Sequence, residues 1–221
     1  TTATDSRNDL IVRGGSPVEN FIMVEGIEIP NINHFGTQGA SGGPIGMINV
    51  DFLNDVTFSA GGFPAKYGDR LSSIMDVQYR NGDKNNFNGK LDIGIAGGGI
   101  ILEGPVQAGK SSYLFSARKS YLDLILSSTG LTAVPNYSNF NLKATYDLSE
   151  QHKLAIIGLA GIDKINFKGY EDEDDPFINS TDFSGWQAVG GLVHKWLIGN
   201  QTYLQTSLST NQYQREVLED S

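Results

Sequence analysis

The chain has 221 residues, of which 27 are Gly, 7 are Pro and none is Cys, with 39% hydrophobic, 10% aromatic and 19% charged residues. Its 16 Lys and Arg against 25 Asp and Glu give a formal charge of −9, which excludes the basic footprint of a nucleic-acid binder, and its aromatic content excludes a disordered acidic tail. The lack of cysteine excludes a disulfide framework, a Cys-type zinc site and a thiol nucleophile, and no run reaches the ~18 apolar residues of a transmembrane helix.

The first 83 residues are rich in Gly, Asn and Pro. Short β-branched runs at Leu10–Arg13, Phe21–Val24, Val56–Ser59 and Ile74–Tyr79 are separated by turn clusters such as Gly14-Gly15-Ser16-Pro17 and Gly61-Gly62-Phe63-Pro64. This part reads as a loop-rich β domain with a short helical turn around Gly46–Leu53.

After Asn88 the texture changes to long alternating segments. In Phe140–Leu148 the residues Phe140, Leu142, Ala144, Tyr146 and Leu148 share one face, and Asn141, Lys143, Thr145 and Asp147 share the other, the period of a strand with one apolar side. Further strands are expected at Gly89–Glu103, Ser112–Arg118, Lys153–Phe167, Gly185–Leu197 and Thr202–Gln212, about six in all. Short turns at Gly104–Lys110, Ser149–Gln151 and Gly199–Gln201 alternate with long loops at Lys119–Tyr137 and Lys168–Ser184, the connection pattern of an outer-membrane β-barrel. The apolar runs Gly94–Leu102 and Leu154–Ile162 have the length of a membrane strand, ~9–11 residues.

Trp186 and Trp196 fall on the same face of one strand. At ~3.3 Å per residue they stand about 33 Å apart along it, and a tilt of ~45° brings this to roughly 23 Å, close to the ~25 Å between the aromatic girdles of a barrel. They are the candidate membrane-interface aromatics. Two core Trp residues of a soluble sandwich would share this spacing, so a soluble β-rich adhesin or scaffold protein is the alternative reading.

Motifs with catalytic wording do not hold. Gly104-Pro-Val-Gln-Ala-Gly109-Lys110-Ser111 matches a phosphate-binding loop as a string, but such a loop must open a helix and the residues after Ser111 alternate as a strand. Gly39-Ala40-Ser41-Gly42-Gly43 resembles a nucleophile segment, yet His34 is the sole histidine before it and no triad order fits. Glu171–Asp175 lacks the spaced ligands and glycine of a Ca²⁺ loop and reads as a solvated acidic loop. The chain is therefore expected not to be an enzyme and to need no cofactor and no metal.

The first half also carries specific wording. Leu10-Ile-Val-Arg13-Gly14-Gly15 and Phe21-Ile-Met-Val-Glu25-Gly26-Ile27-Glu28-Ile29-Pro30 resemble segments of the plug of TonB-dependent outer-membrane receptors, with Glu25 where the family commonly has Asp. Ala60-Gly-Gly-Phe63-Pro64-Ala65-Lys66-Tyr67-Gly68-Asp69-Arg70-Leu71-Ser72-Ser73 is similar to the plug of the Bacteroidota branch, and Glu103-Gly104-Pro105 with Arg118-Lys119-Ser120-Tyr121 resembles that branch's first barrel hairpin.

The resemblance implies a mainly β fold. An α+β plug domain, partial, would cover 1–83, and 84–221 would be antiparallel strands of a transmembrane β-barrel, partial, of a 22-stranded barrel. It implies an outer-membrane location in a Gram-negative bacterium. It also implies a nutrient ligand such as a ferric siderophore imported into the periplasm, outer-membrane lipid as surroundings, and TonB as a partner acting through a segment missing from this chain. Plug–barrel ion pairs are expected from Arg13, Arg70 and Glu103. Ligand contact is expected at a plug apex of Asn31, Asn33, His34, Phe35 and Gln38, and at Tyr121 and Tyr137 from outside.

Overall fold

The structure, a computed structural model, describes residues 10–36, 43–64, 67–68, 72–95, 97–122, 133–167 and 181–219. Two main sheets make up the chain. The first has four strands in the order β2-β1-β6-β5: β1 (Asn20–Val24), β2 (Ile27–Glu28), β5 (Leu53–Ser59) and β6 (Ser73–Tyr79). Strands β1 and β6 run parallel, Asn20 to Val24 matching Ser73 to Val77, while β2 and β5 close the sheet antiparallel. A two-stranded piece, β3 (Asn33–His34) with β4 (Ile45–Gly46), lies beside it.

The second sheet is a fully antiparallel meander of seven strands in sequence order: β7 (Asn88–Ile93), β8 (Gly97–Pro105), β9 (Ser111–Ser120), β10 (Ala133–Asp147), β11 (His152–Phe167), β12 (Thr181–Ile198) and β13 (Thr202–Glu219). The four longest have 15 to 18 residues, well above the usual 5–6 of a globular strand.

Alternation gives this sheet two unlike faces, in the reverse of the soluble arrangement. Asn139, Asn141 and Lys143 are buried, while Phe140 and Tyr146 between and beyond them are exposed. The register carries the exposed apolar face across the ladder: Phe140 lies opposite Ala160, Leu142 opposite Gly158, Ala144 opposite Ile156, and Leu192 opposite Leu208. Ile100, Ile156, Ile162, Leu192, Leu204 and Leu208 are all exposed on it. An antiparallel sheet in water exposes its polar face; this one exposes its apolar face.

The inner face receives the four-stranded sheet. Val24, Ile27, Ile29, Val77 and Tyr79 form one apolar cluster with Ile101, Leu114, Ile157, Leu159, Val189 and Val193 of the seven-stranded sheet. Glycines on the wall make room. A Cβ on Gly191 would stand 2.2 Å from the end of Ile27, and one on Gly161 would stand 2.3 Å from the Met47 sulfur.

Several expectations are corrected. Gly89–Glu103 is two strands, because the Gly94 N–H bonds the Gly97 carbonyl at 2.9 Å and closes a hairpin; the strand count is therefore seven. Leu10–Arg13 is not a strand: Arg13 and Gly14 both have positive φ and turn the chain. The described residues among the first 83 carry two 3-10 turns, Pro17–Glu19 and Val50–Phe52, the second inside the helical turn expected around Gly46–Leu53.

Candidate functional site

The polar groups that matter lie on the seam between the two sheets. The turn joining β1 to β2 is Glu25-Gly26, with φ of 55° and 80°. A two-residue hairpin of this type needs positive φ at both positions and favours Asn or Asp before Gly. Glu bears that conformation here because its carboxylate is held from two sides. Glu25 Oε1 accepts the Tyr79 N–H at 2.6 Å and Lys143 Nζ at 2.7 Å, and Lys143 also donates to the Tyr79 carbonyl at 2.7 Å. The ion pair is deeply buried, with side-chain exposures of 6% for Lys143 and 13% for Glu25. Burial, and then the Glu25 charge, push the Tyr79 phenol well above its ordinary pKa. The neutral hydroxyl donates to Asn141 Oδ1 at 3.3 Å, and Asn141 donates to the Met47 carbonyl at 3.0 Å.

A second clasp closes the junction between the sheets. Arg80, directly after β6, sets Nη1 at 2.6 Å and Nη2 at 3.2 Å from the two oxygens of Glu103 on β8, a bidentate pair. Glu103 also accepts the Asp83 N–H at 3.1 Å. Lys84 pairs with Asp147, and Lys90 with Asp51 at 2.8 Å on the exposed side.

The third contact is at the long-loop end. His34 is fully buried, its Nδ1 hydrogen-bonded to Asp163 Oδ1 on β11, and the other oxygen of Asp163 accepts the Phe35 N–H at 2.9 Å. The His34 ring lies 4.7 Å from that of Tyr137, and Gln187 on β12 donates to the Asn31 carbonyl at 2.8 Å.

Glu103 does make an ion pair across the seam, but with Arg80. Arg13 is exposed, its guanidinium beside Gly61, and Arg70 lies outside the described residues. Asn31, Asn33, His34 and Phe35, the residues of the expected apex, come together and are buried against the large sheet with Tyr137. The reason is Asp163, which supplies the partner that draws the segment inward. Gln38, Ser41 and the acidic run 171–175 lie outside the described residues. Tyr121 is at the end of β9, its hydroxyl bonded to the Gly94 carbonyl.

Lys143 and Arg80 were the residues sequence reasoning missed. Lys143 carried a signal, as the one cation on the polar face of its strand, among Asn139, Asn141, Thr145 and Asp147. Trp186 and Trp196 both stand on the outward face, 39% and 38% exposed, with Trp196 stacked on His152. The phosphate-loop string is the β8–β9 hairpin: the Lys110 N–H bonds the Gln107 carbonyl at 3.0 Å, and β9 follows at once. No helix opens there to hold a phosphate.

No family model and no curated protein matches the chain. Solved structures do. The siderophore receptor PirA from Acinetobacter baumannii aligns over 89% of this chain and 37% of its own, with a TM-score of 0.51 and 12% identity. The ferric enterobactin receptor PfeA from Pseudomonas aeruginosa, a mutant form, aligns over 90% of this chain and 33% of its own, with a TM-score of 0.61 and 12% identity. The chain thus has a mainly β fold shared with part of these receptors, and spans about a third of the length of each. Both are receptors and neither is an enzyme.

Proposed function

We propose that the chain is part of a TonB-dependent receptor of the Bacteroidota type in the outer membrane of a Gram-negative bacterium. Residues 1–83 are the C-terminal part of its plug, and 84–221 are the first strands of a 22-stranded barrel. The whole protein binds a scarce nutrient, such as a ferric siderophore, outside the cell and imports it into the periplasm. TonB supplies the pull through a segment of the receptor outside these residues. Ligand contact falls to the outer side, around Tyr121 and the plug segment that holds Gln38.

The observation that carries this reading is the inverted sheet. Its exposed face carries apolar side chains from Leu91 on β7 to Leu208 on β13, a face suited to lipid, and its other face is packed against a small separate sheet. Burial there combines apolar contact with a few ion pairs, Lys143–Glu25 and Arg80–Glu103 among them. Each such pair is strong only while both partners stay in place. That suits a plug that must be held tightly and still be moved.

The test uses the full-length protein in its native cells under iron limitation. Outer-membrane fractionation, with uptake of radioiron-loaded catecholate and hydroxamate siderophores in wild type, a receptor deletion and a TonB deletion, gives the answer. Recovery in the outer membrane with uptake lost in both deletions supports the reading. A polypeptide recovered in the soluble fraction overturns it.

A further inference from the structure

The outward face of the seven-stranded sheet is not evenly filled. Register stacks its side chains in rows across β10, β11 and β12, and two successive rows are short. In one, Phe140 lies opposite Ala160 and Ala160 opposite Ala188; in the next, Leu142 lies opposite Gly158 and Gly158 opposite Gly190. The result is a groove of about 460 Å³, walled by Phe140 and Leu142 and floored by the small residues. Toward the short turns the following row, Ile156, Leu192 and Leu208, closes it. Toward the long loops Ile162 and its partner Trp186 form the upper lip.

Two cations stand at and above that lip. Lys119 on β9 is the Cα partner of Ser138, which in turn faces Ile162, so Lys119 falls in the row of Ile162 and Trp186. Lys164 on β11 is one row farther out, opposite Asn136, and Lys119 donates to Asn136 Oδ1. Both lysines are exposed, and among the described residues no carboxylate forms a salt bridge with either. Asp182 and Glu216 share the outward face but lie farther along the sheet, on β12 and β13. In water an exposed ammonium needs no partner. These two, however, sit at the level of Trp186 on the face proposed to meet lipid, where interfacial aromatic rings lie among the headgroups and phosphates are the anions at hand.

We infer that this face holds one phosphate-bearing lipid in a fixed position, its phosphate between Lys119 and Lys164 and one acyl chain in the groove below. A groove and a cation pair, features of different chemistry, follow one another in the order in which a lipid presents chain and headgroup. With Asp182 and Glu216 beyond them, the lysines select for the phosphate itself rather than for net negative charge. The inference rests on the barrel reading, which turns this face to the bilayer, and adds to it a discrete lipid site. The groove can be filled without moving the backbone: a Cβ on Gly158 would meet Leu142 Cβ at 3.5 Å, and one on Gly190 only the Thr210 methyl at 4.0 Å.

The test is native mass spectrometry of the full-length protein, purified from the outer membrane and incubated with dipalmitoyl phosphatidylethanolamine or with dipalmitoylglycerol, which has the same chains and no phosphate. The native protein is expected to retain the phospholipid over the diacylglycerol. K119A/K164A and G158L/G190L should each lower phospholipid retention about tenfold or more, while L91A, on the same face but far from the groove, leaves it unchanged. Equal retention of the two lipids by the native protein, or unchanged phospholipid retention in either double variant, overturns the site. Heat-modifiable migration on gels shows which variants are folded, and A160L takes the place of G158L/G190L if that protein is not. Protein that reaches the outer membrane and supports uptake yet holds no such lipid fails this inference alone, whereas protein recovered in the soluble fraction fails the barrel reading.

Discussion

Glu25 and Lys143 stand 118 residues apart in the chain and 2.7 Å apart in space, one in a strained hairpin turn of the small sheet and the other on the inner face of the large one. The bond joins the two sheets where both are dry, and the Tyr79 backbone donates to one partner and accepts from the other. Removing one member of a buried pair strands the other, at a cost of about 3–5 kcal/mol. K143M in the full-length protein is therefore expected to lower the urea midpoint of unfolding, and E25Q/K143M to lower it less than the sum of the single changes. A double-mutant cycle checks this; strictly additive losses would show that the pair is not coupled.

Arg80 and Arg13 separate two kinds of arginine among the first 83 residues. Arg80 is about a third exposed and bidentate on Glu103, so solvent screening reduces its contribution to ~1–2 kcal/mol. Arg13 is exposed and away from that carboxylate, and its loss is expected to stay within about 0.5 kcal/mol. On the receptor reading proposed above, R80A should raise the basal ion conductance in planar bilayers and R13A should leave it unchanged. The reverse order would assign the clasp to the wrong arginine.

Much of this architecture was legible in the sequence because a strand repeats every two residues. The alternation at Phe140–Leu148 marks both faces of β10, and Trp186 and Trp196 share a face for the same reason. What stayed hidden depends on partners remote in sequence. Asn31 to Phe35 has the composition of an exposed turn, and only Asp163, 129 residues after His34, draws it into the seam. Arg80 and Arg13 are alike as residue types; the path of the chain after β6 decides which one meets Glu103.

Asp83 makes the junction after β6 sensitive to acid. Its carboxylate accepts the backbone N–H groups of Asn85 at 2.7 Å and Asn86 at 3.0 Å, with the Asn86 and Asn88 side chains adding to these. The two backbone donors chiefly, then the amides, hold its pKa below the ordinary value of 3.8. A carboxylate depressed on folding contributes stability that is complete above its unfolded value and is lost as the pH falls through its folded value. The native protein should exceed D83N in stability at neutral pH, with the gap closing only below about pH 4. Unfolding midpoints of the two proteins measured from pH 2 to 7 check it; a gap independent of pH would mean that the charge plays no part.

Strand β13 exposes both of its faces, so a pair of neighbouring changes on it reads the medium outside the sheet. Leu208 is 73% exposed on the outward, apolar face, opposite Leu192, and Ser209 beside it points to the inner face, opposite Gly191. An arginine on the lipid face of a barrel costs about 2–4 kcal/mol near the bilayer midplane, while a lumen position tolerates charge. On the barrel reading proposed above, L208R is expected to reduce the yield of folded, heat-modifiable protein severalfold, and S209R to leave most of it. In water the two changes would be tolerated alike, because Leu208 and Ser209 are both exposed and a charge at either would face solvent at little cost. The ratio of the two yields therefore decides between lipid and water as the medium on the apolar face, without any knowledge of the cargo.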